Sequence, residues 1–151
     1  MIDSNINKPL MFGASFSAIA ALAHLGCIIF GGDWYRFFGA GEQMAKMAEA
    51  GESYPAIVTS VLVLILFTWS VYGLSGARVI GKLPLVRTAL VLISSIYILR
   101  GVSFIILMPM FPENSIVFWL VSSSICLFIG LLYSVGTYQN WSNLRVNIPN
   151  R

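Results

Sequence analysis

Arg100 and His24 carry most of the chemistry this sequence offers, because each stands within a run of apolar residues where an ionisable side chain is expensive. The guanidinium is a fixed fork of hydrogen-bond donors with no acceptor, so its natural partner is an anion or a carbonyl oxygen. A helical rise of about 1.5 Å per residue puts Arg100 roughly 13 Å below Pro109 and His24, the only histidine, roughly 10 Å below Gly31. The two therefore share a layer. Tyr97 and Ser103 flank Arg100 at i−3 and i+3, and Thr59, Ser60 and the run Ser122, Ser123, Ser124 add polar atoms at similar depth.

From this layer the sequence predicts an outward-facing polar pocket. Arg100 is its anchor, and His24 orients the ligand or senses protonation. Ser103 and Ser123 stand in the same layer, Trp34, Tyr97 and Trp119 line the mouth, and Glu42 stands at the rim. The expected ligand is a small anion, or a lipid-like amphiphile with an anionic or carbonyl head. A structural or accessory subunit that holds another membrane protein, or a second copy, through the same polar layer is the rival reading. In a third, Asp33, Glu42 and Glu113 join Arg100 and His24 as a membrane-embedded enzyme; carboxylates without known spacing across helices are a weak basis for acid/base work. Arg100 can also snorkel toward headgroups or tie down carbonyls at a helix end.

The elements that must position these groups follow from composition. The chain has 151 residues, 58% hydrophobic and 10% charged, against roughly 25% charged in soluble domains. Mean hydropathy is +0.83. Too few polar side chains exist to cover a water-facing exterior, so the sequence predicts an all-α integral membrane protein. The net charge of +3 needs no nucleic acid to explain it, since membrane proteins accumulate Lys and Arg for orientation.

Apolar stretches of about 20 residues, the length needed to cross a bilayer, run over 10–31, 55–75, 85–108 and 116–138. Pro9, Pro55, Pro84, Pro109 and Pro112 punctuate them. They predict a four-helix up-down bundle forming a single membrane domain over 1–151. Lys8, Arg78, Lys82, Arg87, Arg145 and Arg151 fall on one side, while Asp33, Glu42, Glu49, Glu52 and Glu113 fall on the other. The positive-inside rule then places both termini in the cytoplasm, with the chain in a bacterial inner membrane. The first span is longer than the apolar core of a signal peptide. The Asn140-Trp141-Ser142 sequon lies on the side that glycosylation does not reach.

Between the first two spans, Met44, Met47, Ala48 and Gly51 recur at helical spacing opposite Glu42, Lys46 and Glu49, which predicts an amphipathic helix over about 41–52. It is either an interfacial anchor beside Trp34, Tyr35, Phe37 and Phe38, or a lid hinged at Gly39 and Gly41. Small residues at Gly13, Ser17, Ala21 and His24, and at Ser122, Cys126, Gly130 and Ser134, form stripes that favour close approach of the first and fourth spans.

No dinucleotide, P-loop, zinc or haem-attachment motif occurs, so no cofactor is expected. Cys27 and Cys126 read as packing residues. Apolar runs such as 62–67 and 127–132 close the path inward, which fits binding better than conduction. In size and span number alone the chain resembles the small bacterial membrane proteins termed DoxX-like, and that likeness transfers neither function nor residues.

Overall fold

The computed structural model describes residues 6–144. Arg145 and Arg151, which contribute to the predicted orientation, lie outside them. Helices hold 78% of the described residues, and no strand occurs among them. In order they are α1 (Lys8–Phe30), α2 (Gly32–Phe37), α3 (Glu42–Glu49), α4 (Ser53–Gly76), α5 (Val86–Val102), α6 (Phe104–Leu107), a 3-10 turn (Met108–Met110) and α7 (Ile116–Gln139).

Helices α1, α4 and α7 are each long and apolar enough to cross a membrane; α5 and the α6 segment make a fourth if their bent pair is one span. Leu22, Ile29, Leu64, Leu99 and Leu131 are exposed on their outer faces. Water would penalise that surface at roughly 25 cal/mol per Å², whereas lipid accepts it.

Local sequence sets the ends. Asn7 caps α1 by accepting the Leu10 N–H at 3.0 Å, with Pro9 in the first turn, where its missing N–H costs nothing. Ser115 caps α7 by accepting the Phe118 N–H at 3.1 Å. Gly31, at φ +76, takes the left-handed turn that stops α1.

Each end of the molecule gathers specific helix termini. The start of α1 meets the end of α7, where the Asn7 amide donates to the Gly136 carbonyl at 3.3 Å, and the end of α4, where the Asn7 N–H donates to the Ala77 carbonyl at 3.2 Å. At the other end, the Thr59 hydroxyl of α4 donates to the Tyr35 hydroxyl at 3.2 Å, and Phe118 of α7 lies against Gly39. Helix α1 packs chiefly on α4, and α5 chiefly on α7.

The core is held by one polar node. The Ser17 hydroxyl is 2.9 Å from that of Tyr97 and 3.1 Å from that of Tyr133, and Tyr133 donates to the Trp69 carbonyl at 3.0 Å. Four helices thus share a continuous hydrogen-bonded chain. In an apolar medium such bonds contribute about 0.6 kcal/mol each on average, and they fix the register because any slip orphans a buried hydroxyl. Gly73 lets Tyr133 reach this point: a Cβ there would come within 2.8 Å of both the Tyr133 hydroxyl and the Ala14 Cβ.

Three expectations need correction. The third span is not continuous over 85–108: α5 ends at Val102 and the axis turns by 51°. Gly101 and Ser103 explain the turn, because glycine weakens the helix and the Ser103 hydroxyl bonds back to the Arg100 carbonyl at 3.2 Å. The segment between α1 and α4 contains α2 as well as the expected helix, which runs over Glu42–Glu49. The fourth-span stripe does not face the first span throughout, since Gly130 is approached by Tyr97 and Ile98 of α5. Gly101 reciprocates by receiving Leu127, so the closest α5–α7 approach rests on this glycine pair.

Candidate functional site

Arg100 lies in the last turn of α5, immediately before the break, so the depth of roughly 13 Å inferred from an unbroken helix overstates its distance from that end. The C-terminal end of a helix carries partial negative charge, which favours a cation there by about 0.3–1 kcal/mol. That field does not satisfy the donors. The Arg100 Nη1 is buried without a hydrogen-bond partner, and the guanidinium carbon stands 5.4 Å from the centre of the Trp119 ring.

Two further buried donors lie on α7, the helix that carries Trp119. The Trp119 Nε1 and the Ser123 Oγ, one helical turn apart on the same face of α7, also lack partners. Both residues are almost fully buried, at 2% and 3% exposure. An unsatisfied buried polar group costs about 1–3 kcal/mol, more when it is charged. Guanidinium and indole can only donate, and a hydroxyl can donate or accept. What the three share is a demand for an acceptor.

Their surroundings are aromatic and capped. Phe111 and Phe118 approach the Trp119 ring at centroid distances of 6.3 and 5.6 Å. Phe118 in turn fills the space beside Gly39, whose φ is +70, and the Asn114 amide donates to the Gly39 carbonyl at 3.1 Å. The Glu113 carboxylate accepts the Glu42 N–H at 3.1 Å. The α2–α3 segment is thereby pinned to the start of α7, over the end where Trp119 lies.

Arg36 organises that cap. Its Nε and Nη2 fork onto the Glu42 carboxylate at 2.8 and 2.9 Å, and its Nη1 reaches Glu49 and Asp33. Hydrogen bonds to Arg36, assisted by its charge, hold the Glu42 and Glu49 carboxyls below the usual value of 4.5, while the same bonds raise the guanidinium. The cap therefore gains stability that is fully present above the ordinary carboxyl value and is lost as pH falls through the lowered folded values. Fluorescence attributable to Trp34, taken as wild type minus Trp34→Phe, is expected to stay constant from pH 7 to pH 5 and change only below about 4.5. A transition centred near pH 6 contradicts this cage.

The predicted site residues divide into groups. Arg100 and Trp119 come together as unsatisfied donors, and Ser123, also unsatisfied, stands one turn from Trp119 on α7. Tyr97 does not line the mouth: its hydroxyl turns into the core toward Ser17, and its ring stacks on Tyr133 at 6.0 Å. Ser103 spends its hydroxyl on the Arg100 carbonyl. Glu42 belongs to the Arg36 cage and is taken up there rather than by a ligand. Trp34 lies across Gly26 and stacks on Phe30 at 4.6 Å. His24 bonds through Nδ1 to the Ala20 carbonyl at 2.7 Å and lies 5.8 Å from the Phe38 ring. Among the described residues, no hydrogen bond or ring contact joins His24 to Arg100.

Sequence reading missed Tyr133 and Arg36. Nothing distinguishes Tyr133 from a lipid-facing aromatic in its apolar run, and the Arg36 contacts at separations of 6 and 13 residues require the turn between α2 and α3. No group of three or more metal-ligating side chains occurs among the described residues. Comparison with protein-family models, with curated proteins and with solved structures finds no match.

Proposed function

We propose that this chain is an integral membrane four-helix up-down bundle that binds an amphipathic ligand through an anionic head seated on Arg100, Trp119 and Ser123. The observation that carries the reading is the buried Arg100 Nη1 without an acceptor, on a guanidinium whose carbon stands 5.4 Å from the Trp119 ring, with the Trp119 Nε1 and, one turn further along α7, the Ser123 Oγ also unpartnered. The oxygens of a carboxylate or phosphate supply the acceptors these donors lack, and a guanidinium in a low-dielectric setting binds an anion more strongly than it does in water.

The ligand's tail is apolar for a reason of access. Leu99 and Ile106, on either side of the α5 break, are 66% and 74% exposed, so a route to Arg100 along this helix passes over hydrocarbon. The capped end, with Asp33, Glu42, Glu49, Glu52 and Glu113, faces away from the cytoplasm in this reading, and the end bearing Lys8, Arg78, Lys82 and Arg87 faces into it. Titration of the purified protein with dodecanoate, followed at the Trp119 indole, tests the proposal. Binding of dodecyltrimethylammonium in its place contradicts it, because that probe shares the tail and reverses the charge.

A further inference from the structure

At the end opposite the cap, a groove of about 500 Å³ is lined by Ile6, Asn7, Lys8, Arg78, Gln139 and Asn140 among others. A second, of about 340 Å³, adjoins it and shares Arg78, Asn140 and Asn143 while adding Lys82 and Ile80. Every acidic residue among the described ones, namely Asp33, Glu42, Glu49, Glu52 and Glu113, is in the cap segment or the loop and helix start beside it. Among the described residues, the lining of the paired grooves therefore carries cationic side chains and no carboxylate.

Arg78 is held in place between them. Its backbone is left-handed, at φ +66, a conformation that costs a non-glycine residue about 1–2 kcal/mol. Its Nη2 donates to the Asn140 Oδ1 at 2.9 Å. Asn140 is itself fixed, 5% exposed and donating to the Gly76 carbonyl at 2.9 Å. A neutral amide orients the guanidinium without neutralising it, and the rest of its donor fork remains for an anion. Apolar side chains flank the grooves: Ile6 and Ile80 are 39% and 41% exposed.

We infer that these grooves bind the phosphate of an anionic phospholipid, with Arg78 as the oriented donor, Lys8 as the second charge, and the acyl chains running along the apolar flank. Basic pockets between membrane helices at the cytoplasmic face have the chemistry to hold such headgroups. The shared chemistry with free phosphate is the phosphoryl oxygen; the apolar flank favours the lipid. The inference is independent of the Arg100 site, which lies toward the other end.

Native mass spectrometry of the full chain in a neutral maltoside, with added phosphatidylglycerol, phosphatidylcholine or inorganic phosphate, tests it. Phosphatidylglycerol is expected to be retained several-fold more than phosphatidylcholine. Arg78→Asn, which tolerates the left-handed backbone, and Lys8→Gln, at an exposed position, are each expected to lower that retention by about fivefold. Equal retention of the two lipids overturns the inference, as does undiminished phosphatidylglycerol retention in Lys8→Gln. Loss of the preference in excess inorganic phosphate overturns the lipid assignment in favour of free phosphate.

Discussion

Arg100→Met is expected to make the empty protein more stable and to abolish its response to ligand. The wild-type chain keeps a cation whose Nη1 is buried and unpartnered, 5.4 Å from an indole ring that offsets only part of the cost. A buried donor without a partner costs about 1–3 kcal/mol, more on a charged group, and an apolar side chain of similar length carries no such cost. Thermal unfolding in a neutral maltoside should therefore shift upward. Dodecanoate, at a hundred times its dissociation constant, should stabilise the wild type by about 2.7 kcal/mol and leave Arg100→Met unaffected. Arg100→Lys retains the charge but not the fork, so its response is expected to be weakened rather than lost. If Arg100→Met is less stable than wild type without ligand, the arginine is a structural clamp and the ligand reading fails.

Gly39→Val is expected to detach the cap without unfolding the long helices. The residue needs φ +70, which disfavours a β-branched side chain, and the Phe118 ring occupies the place where its Cβ would go. The backbone penalty of about 1–2 kcal/mol and an overpacking penalty of about 1–3 kcal/mol act directly against the Asn114 and Glu113 contacts that tie this segment to the start of α7, at about 1 kcal/mol each. Releasing Phe118 uncovers Trp119, which its ring contacts at 5.6 Å. Acrylamide quenching of Trp119, measured against a Trp119→Phe background, should rise several-fold while helical circular dichroism stays nearly unchanged. Unchanged quenching would mean that the cap does not shield the site.

These two positions also show what the sequence makes legible. Span ends could be read because proline acts locally: Pro9 and Pro55 do their work within one turn of where they stand. Arg100 could be singled out because charge in an apolar run is costly wherever the chain goes. The direction of Tyr97 could not, since a tyrosine beside Arg100 on the helix surface serves either the pocket or the core, and the answer depends on Ser17 and Tyr133 from two other helices. The break at Ser103 was hidden for a similar reason. Gly101 also serves the approach of Leu127, so its presence does not by itself announce a bend. Gly39 was legible as a flexible position, but the structure gives it a more specific task, which is making room for Phe118.

The most direct test of the central claim is the ¹⁹F resonance of Trp119 in protein labelled with 5-fluorotryptophan, assigned by Trp119→Phe and followed through a dodecanoate titration. A saturable shift in the wild type that disappears in Arg100→Met, with Trp69 unmoved as the internal reference, is the result expected if Arg100, Trp119 and Ser123 await a common anionic acceptor. A Trp119 resonance that does not move, or that moves equally in Arg100→Met, contradicts it.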